Sequence, residues 1–263
     1  MAIPKIIHYC WFGGKDFPQT EQSCIATWKK ILPDYKLMLW NEENTILEIP
    51  FVKFAFENKQ WAYVSDYVRL KCLYDYGGVY LDTDMYVVRS FNSFMDEICF
   101  FGSESSSRIS CGIIGAEKHN EFIKKCLEYY ENLNDFGLDD FKMPITKIVT
   151  QIFREYYNYN EGFSNTVRKD GVTIYRPEFF YPIPYNEYKR PLDRNYEEYS
   201  KENTFAIHLW SGSWQKINEF QLLTNKKYFK AILNILKKAH KKDVFKKKYL
   251  KKLLKAYKLS RHS

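Results

Sequence analysis

The stretch Gly77-Gly78-Val79-Tyr80-Leu81-Asp82-Thr83-Asp84-Met85 places two aspartates one residue apart, directly after a short apolar run. In an extended strand, residues i and i+2 point to the same side. The two carboxylates therefore converge if the strand continues to Asp84. Two unpaired buried carboxylates are costly. That cost disappears where a divalent cation lies between them, or where they open into a cleft beyond the strand end. Two turn aspartates capping nearby backbone N–H groups account for the same residues without a ligand. An EF-hand loop starting at Asp82 requires Gly at 87 and Glu at 93, and Val87 and Ser93 stand there.

Three neighbouring blocks carry further chemistry. Asp66 and Arg69 stand at i and i+3 in Trp61–Gly78, on one helical face among Ala62, Val64, Val68, Leu70 and Leu73. They read either as an intrahelical ion pair or as a carboxylate and a guanidinium presented to a cleft. Trp11 ends an apolar run and precedes Phe12-Gly13-Gly14, so it is a core residue or a stacking platform for a planar base. His208 lies late in Ala206–Trp214, at a strand end before a Ser/Gly loop. A neutral imidazole there suits a structural hydrogen bond or a third ligand to a cation such as Mn²⁺.

The elements that must position these residues alternate along the chain. Strand patterns over 3–13, 35–40, 79–84, 98–104, 110–117 and 204–210 are interleaved with helical patterns over 19–31, 51–76, 119–133, 146–157 and 226–239. Residues 172–185 mix strand pattern with prolines, as an edge strand and loop do. Such alternation predicts an α/β fold, a mixed sheet packed between helices. The chain has 263 residues, 45% of them hydrophobic and 18% aromatic, enough for a substantial core. The six cysteines are scattered without CxxC spacing, which gives no support to a zinc site or a disulfide framework. No run approaches the ~18 apolar residues that span a bilayer. The first residues lack a secretory leader pattern, so the expected location is the cytoplasm.

Charge is unevenly distributed. Residues 237–263 hold 12 of the 40 Lys and Arg and one of the 32 acidic residues, leaving 28 basic and 31 acidic residues elsewhere. The body is mildly acidic, which speaks against a nucleic-acid groove on it, and no nucleic acid is expected as a partner. In the tail, Phe245, Tyr249, Leu250, Leu253, Leu254 and Tyr257 form one helical stripe against a lysine face. This pattern suits an anionic membrane surface, packing on the domain, or a nucleic-acid arm. The expected division is a domain over 1–236 and a basic amphipathic tail over 237–263.

Taken together, Ile3–Gly14, the Ser-Asp-Tyr-Val-Arg helix, GGVYLDTD and HLWSGSW resemble the DXD-containing sugar transferases of glycosyltransferase family 32. That group includes bacterial capsule and lipopolysaccharide transferases; more distantly, the blocks resemble the catalytic domain of clostridial glucosylating toxins. FFYPIP (179–184) is also similar to the group. The resemblance runs from residue 3 to 214 and implies a GT-A fold, a Mn²⁺ or Mg²⁺ ion and a nucleotide-sugar donor, UDP-sugar favoured over GDP-sugar. It implies retaining hexosyl transfer to a glycan or lipid-linked acceptor in surface polysaccharide synthesis; lipid-linked acceptors are presented at the inner membrane face, the location that the basic tail suits. Position by position, it implies that Trp11 stacks on the base, and that Asp66 and Arg69 contact the donor's sugar and ribose. Tyr80 lines the donor pocket, Asp82 binds ribose or metal, Asp84 binds metal, and His208 completes the metal site. Ser213 and Trp214 close over the diphosphate. Many relatives carry Asn where Cys111 or Gly112 stands here, a departure on the acceptor side. Two other classes remain open to the same sequence: a metal-dependent phosphotransferase using the aspartate pair, and a basic nucleic-acid-binding protein.

Overall fold

A computed structural model describes residues 2–45, 47–133, 143–185 and 196–212, and scattered positions between Leu222 and Ser260. Ser213, Trp214 and most of the tail 237–263 lie outside the described residues. The chain divides into two compact units, one of 1–190 with 194–211, the other of 191–193 with 212–263.

The first unit is built on a seven-stranded sheet of order β2-β1-β3-β6-β5-β8-β7. Its strands are β1 (Ile6–Cys10), β2 (Lys36–Trp40), β3 (Gly78–Leu81), β5 (Cys99–Ser105), β6 (Arg108–Ala116), β7 (Val167–Lys169) and β8 (Val172–Tyr175). β1 is parallel to β2 and β3, and β5 to β8, whereas β6 is antiparallel to both β3 and β5 and β7 is antiparallel to β8. The sheet is therefore mixed, as expected. A separate antiparallel ribbon joins β4 (Met85–Val87) to β9 (Ala206–His208).

Strand alternation divides the core between the sheet's two faces. Tyr80, Phe101 and Ile114 face a cluster that receives Phe51 and Val52 of α2 (Pro50–Glu57), Val64 and Val68 of α3 (Trp61–Tyr76), Phe122 of α4 (Glu121–Glu131) and Val149 of α5 (Ile145–Tyr156). Their sequence neighbours Val79, Leu81, Phe100 and Ile113 face the other cluster, with Trp28 of α1 (Gln19–Ile31), Phe94 and Phe180. In the second unit, α6 (Tyr228–Lys238) runs across residue 237, and its Ala231 is buried with Leu222 and Leu223.

Three local expectations change. β8, expected at an edge, lies between β5 and β7, because the short strand β7, which the sequence pattern did not mark, pairs with it. The helical pattern over 51–76 forms two helices, because Lys59 takes a left-handed φ of 55° and the backbone N–H groups of Lys59 and Gln60 close the end of α2 on Phe56 and Ala55. The polar run Asn58-Lys59-Gln60 offers nothing to the core that would carry a helix through. The strand expected over 79–84 stops at Leu81. Asp82 to Met85 instead form a tight turn, closed by the Met85 N–H donating to the Asp82 carbonyl at 3.0 Å. Upstream, Gly77 and Gly78 turn α3 into β3 with φ of 66° and 112°, a region that favours glycine.

Opposite Phe100 in the β5–β6 pairing stands Gly115, where an added Cβ would run into the buried Phe100 ring. Phe100 in turn packs against Phe180 and Phe94. Gly115→Ala is expected to lower stability by about 1–3 kcal/mol, the usual cost of overpacking. Urea denaturation should show a lower midpoint at unchanged m, and an unchanged midpoint would contradict this packing.

Candidate active site

Helix α3 is buried on most of its circumference, and two of its charged residues, Asp66 and Arg69, are buried with it, each 6% exposed. A buried guanidinium requires counter-charge and hydrogen bonds inside the protein. Arg69 finds both. Its Nη2 lies 3.1 Å from Asp66 Oδ1 and its Nη1 lies 3.1 Å from Asp82 Oδ1. Nη1 also donates to the Cys111 carbonyl at 2.8 Å, and Nε to the Ser65 carbonyl at 3.2 Å. The guanidinium sits 4.6 Å from the Tyr80 ring centroid, and the Tyr80 hydroxyl donates to Asp82 Oδ1 at 2.9 Å. One cation thus ties helix α3, strand β6 and the turn after β3 together.

The second half of the site comes from the β4–β9 ribbon. Met85 pairs with His208, and the Leu209 N–H donates to the Asp84 carbonyl at 3.0 Å. This pairing sets His208 Nε2 3.0 Å from Asp84 Oδ1 and 3.9 Å from Asp82 Oδ2. Ligand atoms of Asp82, Asp84 and His208 lie within 4.8 Å of one another. The aspartates converge through the turn, not through an extended strand. Asp82 is the partly exposed member, while Asp84 and His208 are buried.

The donor set of two carboxylates and an imidazole suits a divalent cation of hard to borderline character. Space beside it is kept by Gly112: a Cβ there would lie 3.1 Å from Asp82 Oδ2, 3.1 Å from the Tyr181 hydroxyl and 3.6 Å from His208 Nε2. The residues present fit a divalent ion. Asp82, Asp84 and His208 would hold it, leaving Arg69 outside the ligand set.

Electrostatics follow from burial and pairing. Burial pushes the Asp66 carboxyl up to about 6, with Arg69 pulling the other way. For His208, burial works against the charged ring, but Asp84, then Asp82 and Glu104, outweigh it and raise its proton affinity. For Asp84, burial is outweighed by His208 and Ser211, and its carboxyl is held below the usual range. A cation and the His208 proton therefore compete for this site.

Other expected residues fall as follows. Trp11 follows β1, which runs parallel to β3, so it stands at the sheet edge where Asp82 emerges. Its ring packs on Phe17 with centroids 4.7 Å apart, and its Nε1 donates to the Lys15 carbonyl at 2.5 Å. Ser213 and Trp214 are outside the described residues. Three residues that sequence reasoning did not select, Ser211, Glu21 and Tyr181, also border the site, as does Gly112, noted there only as a departure on the acceptor side. Ser211 donates its N–H to Asp84 Oδ2 at 2.8 Å and its hydroxyl to Glu21 Oε1 at 2.6 Å. The Tyr181 hydroxyl accepts the Ile113 N–H at 3.0 Å, and its ring meets His208 edge-on. Gly112 accepts the Asp82 N–H on its carbonyl at 2.8 Å. Ser211 and Tyr181 lie inside blocks already singled out, whereas Glu21 carries no local signal beyond an acidic residue in a first helical turn.

Asp66 yields a pH prediction. Its folded-state value lies above its ordinary 3.8, so the stability it contributes is full below that value and is lost as pH rises through about 6. Wild type should lose stability relative to Asp66→Asn between pH 4 and pH 7, measured by urea denaturation at each pH. A pH-independent difference would contradict the raised value.

Residues 18–101 match the family described as the glycosyltransferase sugar-binding region containing the DXD motif, and residues 115–235 match the alpha 1,4-glycosyltransferase conserved region. The chain is 28% identical over 187 residues to a human alpha-1,4-N-acetylglucosaminyltransferase, covering 70% of this chain and 50% of that protein. It is 27% identical over 152 residues to the lactosylceramide 4-alpha-galactosyltransferase of Pan troglodytes, covering 56% and 41%. The chain thus spans about half the length of these curated relatives. Among solved structures, the PaToxG glycosyltransferase aligns with a TM-score of 0.51 at 20% identity over 60% of this chain and 70% of that one, a likeness of fold alone. The architecture is the α/β GT-A-like one, with a mixed central sheet flanked by helices. The aspartate pair lies inside the first matched region and His208 inside the second, so both halves of the site fall in segments similar to DXD-containing glycosyltransferases.

Proposed function

We propose that this protein is a metal-dependent, retaining hexosyltransferase that takes its sugar from a nucleotide sugar, a UDP-sugar in preference to a GDP-sugar. Its acceptor is a glycan or lipid-linked saccharide of a bacterial surface polysaccharide, of the capsule or lipopolysaccharide type. The observation that carries the reading is the Asp82–Asp84–His208 cluster at the carboxyl end of β3, braced by Arg69 and inside the matched DXD region. The relatives' names support transfer of a hexose. Both are α-transferases of hexoses that UDP commonly carries, and one acts on lactosylceramide, a lipid-linked acceptor. An α-linked product from an α-configured nucleotide sugar means net retention.

Transfer breaks the bond from the sugar C1 to a diphosphate, and negative charge grows on the leaving group. A bound Mn²⁺ or Mg²⁺ supplies the opposing positive charge. Asp82, Asp84 and His208 hold and orient that charge. Asp66 and Arg69 stand behind Asp82, where they order the donor's sugar and ribose and fix the Asp82 carboxylate. Tyr80 and Trp11 line the donor side, with Trp11 stacking on the base to supply binding energy remote from the reacting carbon. Ser213 and Trp214 are assigned to the diphosphate.

Released nucleoside diphosphate, assayed across a panel of UDP- and GDP-sugars with Mn²⁺, tests the reading. Wild type should turn over at least one UDP-hexose. Asp84→Asn should lose at least about 100-fold, beyond the roughly 10–100-fold typical of outer-shell changes, with an unchanged circular dichroism spectrum. Near-normal turnover by Asp84→Asn, or by wild type in chelating buffer, would overturn the metal role. Phosphoester turnover without nucleotide-sugar binding would favour the phosphotransferase class.

The protein is further proposed to work in the cytoplasm, against the anionic inner face of a membrane, with its basic tail as the contact. Supporting this are the tail's charge and the exposure of Leu250, Leu254 and Tyr257, at i, i+4 and i+7. On α6, Phe229, Ile232, Leu233 and Leu236 are exposed at helical spacing, Phe229 by 76%. Among the described residues, no helix is long and apolar enough to cross a membrane. Deleting residues 237–263 should abolish co-sedimentation with anionic vesicles at low salt while leaving donor hydrolysis intact. Equal vesicle binding after the deletion would sink the membrane role.

A further inference from the structure

Behind Asp84 lies a second carboxylate. Glu21, in the first turn of α1, is 1% exposed and shares the helix's buried face with Cys24 and Trp28. An apolar residue there would pack without the cost of burying a carboxylate. Glu21 instead accepts the Ser211 hydroxyl on Oε1 at 2.6 Å, and Ser211 donates its backbone N–H to Asp84 Oδ2 at 2.8 Å. With Oδ2 engaged, the other oxygen of Asp84, Oδ1, is turned to His208 Nε2 at 3.0 Å.

The same helix fixes the strand that follows Asp84. The Trp28 Nε1–H donates to the Met85 carbonyl at 2.6 Å, and the Val87 N–H donates to Thr27 Oγ1 at 3.0 Å. From the other side, Trp210 takes a left-handed φ of 54° and anchors its Nε1–H on the Ile183 carbonyl at 2.8 Å. A non-glycine residue holds such a conformation only where its surroundings enforce it. Here it precedes the residue whose N–H meets Asp84.

We infer that Glu21 is a positioning residue which, through Ser211, locks the Asp84 carboxylate with Oδ1 facing the cation site and so raises the site's affinity for a divalent metal. This rests on the metal reading above. A hydrogen-bonded partner behind a ligating carboxylate is a common device for tuning a metal site.

The test is Mn²⁺ binding to the full chain, followed by the electron paramagnetic resonance signal of free Mn²⁺, with and without UDP. Glu21→Ala and Ser211→Ala should each weaken Mn²⁺ binding by roughly 10–100-fold. Glu21→Gln, which keeps Oε1 as an acceptor, should retain most of the affinity. Because the two residues act in series, the double variant should lose little more than the weaker single variant. Ser211→Ala and Glu21→Gln are nearly isosteric, so Ser211→Ala decides the matter if Glu21→Ala fails to fold. Unchanged Mn²⁺ affinity in folded Ser211→Ala, or fully additive losses in the double variant, would overturn the inference. Asp84→Asn separates it from its parent. If that variant loses affinity and the Glu21 and Ser211 variants do not, only the positioning role falls. If it binds Mn²⁺ as wild type does, the metal reading falls and the positioning role with it.

Discussion

A guanidinium with almost no access to water organises this protein. Arg69 sits inside the sheet–helix interface, and its charge is balanced by Asp66 on its own helix and Asp82 after β3. Its remaining donors go to the Ser65 and Cys111 carbonyls. Removing one partner from such a buried set leaves an uncompensated charge, at a cost of about 3–5 kcal/mol. Each element that meets Arg69 is held to a narrow position. Helix α3 must pack against β6, β6 must bring the Cys111 carbonyl inward, and the chain must leave β3 where Asp82 can reach Nη1. Other features of the site depend on that geometry.

From that anchor the site divides into a fixed side and an open side. Arg69 and Tyr80 hold Asp82 Oδ1, while Asp82 Oδ2 faces the space kept by Gly112 and bordered by His208 and Tyr181. The negative charge gathered by Asp82 and Asp84 is offset by His208, whose proton affinity that charge raises. A divalent ion satisfies the same oxygens with two positive charges in place of one. The arrangement is electrostatically incomplete without a cation or a proton, a property expected of a site built to bind and release a charged ligand.

Much of this was legible in the sequence because it depends on local rules. The i, i+3 spacing of Asp66 and Arg69 on an apolar helix predicts two charges on one face, and the structure pairs them. Gly77-Gly78 predicts the end of that helix, and both residues take positive φ there. The apolar run ending at Leu81 predicts a strand with carboxylates at its carboxyl end, and β3 carries them there, although it stops at Leu81 and not at Asp84. The failures were also local. Asn58-Lys59-Gln60 broke a helix that apolar periodicity alone carried through. Asp82 and Asp84 converge through a turn, where the strand rule of alternating sides no longer applies.

The sequence by itself determined the alternation of strands and helices, the placement of the aspartate pair after an apolar strand, and the mixed charge on α3. Periodicity and turn chemistry act over a few residues and are written in them. The tertiary structure alone decided which distant residues meet. His208 reaches Asp84 across 124 positions of chain because β9 pairs with β4, and Ser211 reaches Glu21 across 190 because α1 packs beneath that ribbon. Strand register and helix docking are set by the burial of whole faces, Trp28 against Met85 and Phe100 against Gly115. No local window of sequence contains both sides of such a contact.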